Sequence, residues 1–134
     1  MSDLWPGQAS APSLDDIAQL AEAAFEALPD IFRTMAGDIV FRVDDFPDEE
    51  MLAALGMQDP FELTGLYQGV DLSRRSVLEA PEPARVFLFR RPLLDEWAER
   101  GDVTLSELVA HVLIHEIGHH LGLTDDQIHL IESE

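Results

Sequence analysis

The sequence predicts an α+β domain in which a small sheet of about three strands packs on one long helix. Three observations carry that expectation. Residues 38–46 and 85–91 are rich in β-branched and aromatic residues and alternate as strands do. The last third, from Thr104 to Gly122, keeps apolar residues at helical spacing without a break. Between these stretches, capping residues, prolines and glycines mark out shorter helices.

Residues 1–12, rich in Ser, Ala, Pro and Gly, read as a flexible tail, and residues 13–134 as a single domain. Ser13 and Asp16 form a capping box in front of Leu14, Ile17, Leu20, Ala21, Ala24, Phe25 and Leu28, a helix that Pro29 ends or kinks. "DIFRTMAG" adds a short helical turn. In the first strand, "DIVFRVDDF", Ile39, Phe41 and Val43 share a face. "DEEMLAALG" is a short helix closed by Gly56, and a short strand is expected around Leu66 to Val70. "EAPEPA", residues 79–84, is a loop before the strand "RVFLFRR", and a helix is expected from Pro92 to a stop at Gly101. Thr104 with Glu107 caps the long helix, and Thr124 opens a final short one with Gln127.

Composition narrows the function. With 46% hydrophobic residues the chain has enough apolar material for a core, so disorder throughout is excluded. There is no cysteine, so a metal must be held by His, Asp, Glu or main-chain oxygen. A formal net charge of −19 repels nucleic acid and anionic membranes, and neither is an expected partner. The N-terminus has neither the basic nor the apolar region of a secretory leader, and no apolar run is long enough to span a bilayer. A soluble, cytoplasmic protein is expected.

The chemistry concentrates in "LIHEIGHHLGLTDD", residues 113–126. At about 100° per residue, His115 and His119 stand one turn apart on the same helix face, so both imidazoles can converge on one ion. Glu116 falls beside that face, where its carboxylate can take a proton from a metal-bound water. This is the content of the H-E-x-x-H motif. A catalytic zinc requires a third protein ligand. Gly122 can adopt a left-handed conformation that turns the chain back, and Asp125 can then reach the same ion. On equal residue usage the bare motif occurs in about one or two per cent of chains this long, and the added Gly and Asp lower that by about two orders of magnitude.

The neighbouring side chains admit plainer roles. Asp125 and Asp126 lie in the first turn of the final helix, where the helix dipole alone favours acids. Asp126 fits that role, or support behind the ligands, better than ligation. His111 is one turn before His115 and can substitute as a ligand, although an exposed histidine there is ordinary. His120 points about 100° from His119 and suits packing or a hydrogen bond. His129 can approach from the final helix. Tyr67, the only tyrosine, is a candidate for stabilising an oxyanion or for plain packing. Apolar residues on nearly every side of the long helix imply a buried, dry setting, which strengthens polarisation at a metal.

"HEIGHHLGLTDD" resembles the active-site helix of the small, single-domain bacterial zincin-like metallopeptidases, and "GLYQGVDLSRRS" and "FLFRRPLLDEW" are similar to that family's middle segments. The resemblance implies a minimal zincin fold, with a mixed sheet over the active-site helix. It also implies one Zn2+ per chain at His115 and His119, Glu116 as base and Asp125 as third ligand. The longer metzincin pattern has histidine where this chain has Asp125, followed by a methionine turn. Here the last methionine is Met57, well before the motif.

The expected activity is zinc-dependent hydrolysis of a peptide or protein substrate lying extended along a sheet edge. "RVFLFRR" is the candidate edge, since arginines at its ends suit an exposed strand. The rival is a zinc-stabilised binding or regulatory protein without turnover. A two-histidine, one-carboxylate set also accommodates manganese or iron.

Overall fold

The structure, a computed structural model, describes residues 11–69 and 84–132. The expected tail, apart from residues 11 and 12, lies outside them, as do Val70 of the expected second strand and residues 79–83 of the expected loop.

Helix α1 spans Leu14–Glu26 and begins at the expected box: the Asp16 N–H donates to the Ser13 hydroxyl, and the Ser13 N–H donates to the Asp16 carboxylate. It buries Ile17 and Ala21 completely and sets Phe25 edge-on to Phe41 with 5.2 Å between ring centres. Helix α2, Asp30–Ala36, follows Pro29 and ends at Gly37, whose φ is 62°. Strand β1, Ile39–Asp44, turns Ile39, Phe41 and Val43 to the core as the alternation predicts. Helix α3, Glu49–Leu55, is capped by Asp48 and closed by left-handed Gly56. A single 3-10 turn at Pro60–Glu62 leads to β2, Gly65–Gln68, which starts one residue before the expected Leu66.

Strand β3, Ala84–Phe89, passes directly into helix α4, Arg90–Arg100, so the helix begins two residues ahead of the expected Pro92 and closes at left-handed Gly101. Helix α5, Leu105–His120, has the predicted Thr104–Glu107 box, and α6 is Asp125–Glu132. Among the described residues the fold is therefore α+β, six helices around a three-stranded mixed sheet.

The sheet order is β1-β3-β2, with β1 parallel and β2 antiparallel to β3. The sequence-based placing of "RVFLFRR" at the edge is thus corrected: β3 is the central strand. Val86 and Leu88 face the main core with α1, α4 and α5, while Phe87 and Phe89 face a second cluster with Leu63, Met51, Met57 and Leu66. A strand covered on both faces reads as a continuous apolar run, and "VFLF" is such a run. Of its flanking arginines, Arg85 lies exposed within β3, whereas Arg90 and Arg91 open α4, where Arg90 pairs with Asp45 at 3.1 Å.

Candidate metal centre

Helix α5 positions the site because its apolar face is committed to the core. Leu105, Leu108, Val109, Val112, Leu113 and Ile117 are all buried, which fixes the helix rotation and leaves His115 and His119 on the outer side. The helix ends in a Schellman motif. The Leu123 N–H donates to the Gly118 carbonyl at 2.9 Å and the Gly122 N–H to the His119 carbonyl at 3.0 Å, with Gly122 at φ 76°. Glycine there meets a conformation that a side chain would oppose. The chain doubles back at once into α6, capped by Thr124, whose hydroxyl accepts from the Gln127 N–H while the Gln127 side chain accepts from the Thr124 N–H.

Helix α6 lies close on α5. A Cβ on Gly118 would stand 2.4 Å from Cγ1 of Ile128, a fully buried residue, so only glycine allows the approach. That packing brings Asp125 Oδ1 to 3.8 Å from His115 Nε2.

The imidazoles of His115 and His119 meet edge to face, with 3.2 Å between their Nε2 atoms. Glu116 joins them: ligand-capable atoms of His115, Glu116 and His119 lie within 4.8 Å of one another. Two nitrogens each about 2.0–2.1 Å from one tetrahedral ion stand about 3.3–3.4 Å apart, so the observed spacing fits zinc without rearrangement. Burial pushes the Glu116 carboxyl above its ordinary value. His115 and a hydrogen bond from the Tyr67 main chain pull it down, and Asp125 pushes it up. A carboxylate raised by burial is better matched to proton transfer near neutrality.

Strand β2 flanks the site. The Phe89 N–H donates to the Thr64 carbonyl, and the register pairs Leu66 with Phe87. These are therefore the hydrogen-bonded pairs, and Gly65 and Tyr67 turn their main-chain groups to the other edge of β2. Among the described residues no strand pairs with that edge. A Cβ on Gly65 would lie 2.6 Å from Val112 Cγ1 and 3.4 Å from Glu116 Cγ, so glycine lets the strand settle against the helix beside Glu116.

Of the other residues the sequence offered, Tyr67 has its hydroxyl 3.0 Å from His120 Nδ1. His120 is buried, with Nε2 2.8 Å from the Ala36 carbonyl. Asp126 and His129 lie exposed on α6, and His111 lies exposed on α5. Sequence reasoning missed Gly65 and Gly118. A glycine inside a helix costs about 1 kcal/mol against alanine, and that cost was the available sign that Gly118 serves a close contact.

Among the described residues no helix is long and apolar enough to cross a membrane. No curated protein matches the chain. A family model described as zincin-like metallopeptidase matches residues 36–134. That span takes in the whole sheet, the histidine helix and α6, and the chain belongs to the zincin-like metallopeptidase family.

Proposed function

We propose that the protein is a zinc-dependent peptidase in which His115, His119 and Asp125 hold one zinc ion per chain and Glu116 is the general base. The observation that carries this reading is the pair of Nε2 atoms 3.2 Å apart, with a half-buried carboxylate beside them. Asp125 lies 3.8 Å from His115 but outside the cluster of His115, Glu116 and His119, so its exposed side chain swings inward to complete the set.

A bound zinc supplies Lewis acidity, polarising a carbonyl and acidifying water. Glu116 takes one proton from the water as its oxygen adds to the scissile carbonyl carbon. It then returns that proton to the amine nitrogen as the C–N bond breaks. The substrate lies extended against the outer edge of β2, where Gly65 turns its main-chain groups outward and the Tyr67 amide is already engaged by Glu116. β2 takes this role in place of β3, whose two edges are both occupied by neighbouring strands.

The test is Glu116→Gln, which leaves both imidazoles in place and removes the base. About one zinc per chain should be retained, while cleavage of a peptide library falls at least about 100-fold. Retained cleavage overturns the mechanism. A wild-type protein that binds zinc and cleaves nothing favours the binding or regulatory reading.

A further inference from the structure

Strand β2 and helix α5 run side by side with matching repeats. Two residues along a strand advance about 6.6 Å, and four along a helix about 6 Å. Gly65 and Tyr67, on one face of β2, therefore meet the stripe Val112, Glu116, His120: Gly65 lies against Val112 and Glu116, and Tyr67 against His120. Glycine sets the approach at one end of this contact. A hydrogen-bonded chain sets it at the other.

In that chain His120 Nε2 faces the Ala36 carbonyl, which only accepts, so Nε2 carries the proton. In the neutral imidazole Nδ1 is then the acceptor, and the Tyr67 hydroxyl donates to it. The rings lie 5.4 Å apart between centres, in contact as well as bonded. The main chain of the same tyrosine hydrogen-bonds the Glu116 carboxylate. One residue thus ties the buried end of α2, the interior of α5 and the base together.

We propose that Tyr67 is a positioning residue: its hydroxyl, anchored on His120, holds β2 at the height over α5 at which its own main-chain amide orients the Glu116 carboxylate. The catalytic value of that orientation rests on the peptidase reading above, whereas the strut itself does not. Tyr67 acts through its backbone and through His120, and its hydroxyl points into the protein rather than at substrate.

The experiment follows amide exchange at residue 67 by NMR in the zinc-loaded full chain, for wild type, Tyr67→Phe, His120→Gln and His120→Leu. Tyr67→Phe deletes one oxygen and leaves the ring to pack. His120→Gln keeps a donor and an acceptor at the spacing of the two ring nitrogens, and His120→Leu keeps neither. Exchange at residue 67 should quicken about tenfold in Tyr67→Phe and His120→Leu and stay near wild type in His120→Gln. Leu113 in the middle of α5 should be unaffected by Tyr67→Phe. With a cleavable peptide, Tyr67→Phe should lower kcat about tenfold with KM within about twofold and zinc content unchanged. Unchanged exchange at residue 67, or an unchanged kcat despite faster exchange, overturns the proposal. If wild type cleaves no peptide while the exchange differences hold, the peptidase reading fails and the strut stands.

Discussion

Asp125 and Glu107 are both acids in the first turn of a helix, and their surroundings give them different work. Asp125 is exposed, yet lies 3.8 Å from an imidazole nitrogen of the histidine pair. Asp125→Ala should weaken zinc binding by about 100-fold or more, since even residues behind a ligand matter by 10–100-fold. Competition with a chelator of known affinity measures this. Glu107 is also exposed, and its carboxyl is held below its ordinary value, first by the Thr104 N–H and then by the Thr104 hydroxyl. A carboxyl whose folded pKa is depressed adds stability above its unfolded pKa and loses it as pH falls through the folded one. Glu107→Gln keeps the capping geometry and removes the charge. Wild type should therefore melt higher than Glu107→Gln at pH 7, and the gap should close below the ordinary glutamate value of 4.5.

The contact between α5 and α6 turns on Gly118. Gly118→Ala places a carbon 2.4 Å from Ile128, which is β-branched, fully buried and short of alternative rotamers. Overpacking of this kind costs about 1–3 kcal/mol, against about 1 kcal/mol that alanine gains in a helix. A lower melting temperature with a disproportionate loss of zinc is expected. An unchanged zinc affinity would mean that α6 does not place Asp125. The helices were legible in the sequence because their caps are local: Ser13 with Asp16, Thr104 with Glu107 and Thr124 with Gln127 each form within one turn. Strand order was not, because β1 and β3 pair across the chain from Ile39 with Ala84, and no local pattern states which strand lies in the middle. The covering of both faces of "VFLF" was written in its composition, but arginines that begin α4 obscured it. The convergence of His115, Glu116 and His119 could be read because a helix converts sequence spacing directly into geometry. The Tyr67–His120 bond could not, since it joins residues 53 apart in sequence.

Across the whole molecule, 27 acids face 8 arginines and the net charge is −19. Self-repulsion on this scale opposes compaction and is screened by salt. Raising NaCl from about 10 mM to about 200 mM at pH 7 should raise the melting temperature. A fall would mean that the ion pairs, such as Arg90 with Asp45, outweigh the general repulsion. The same field bears on α6, whose residues are mostly exposed and whose anchorage is Ile128 in the notch at Gly118. This helix opens with two aspartates beside Glu116, a like-charge arrangement that a bound cation would offset. The ion would then clasp the fold's last helix as well as activate water, and chelation should loosen α6 ahead of the sheet. Hydrogen exchange would register this as early loss of protection around Ile128 while Val86 and Leu88 stay closed. In a chain this small, a bound cofactor would double as the closing fastener of the fold.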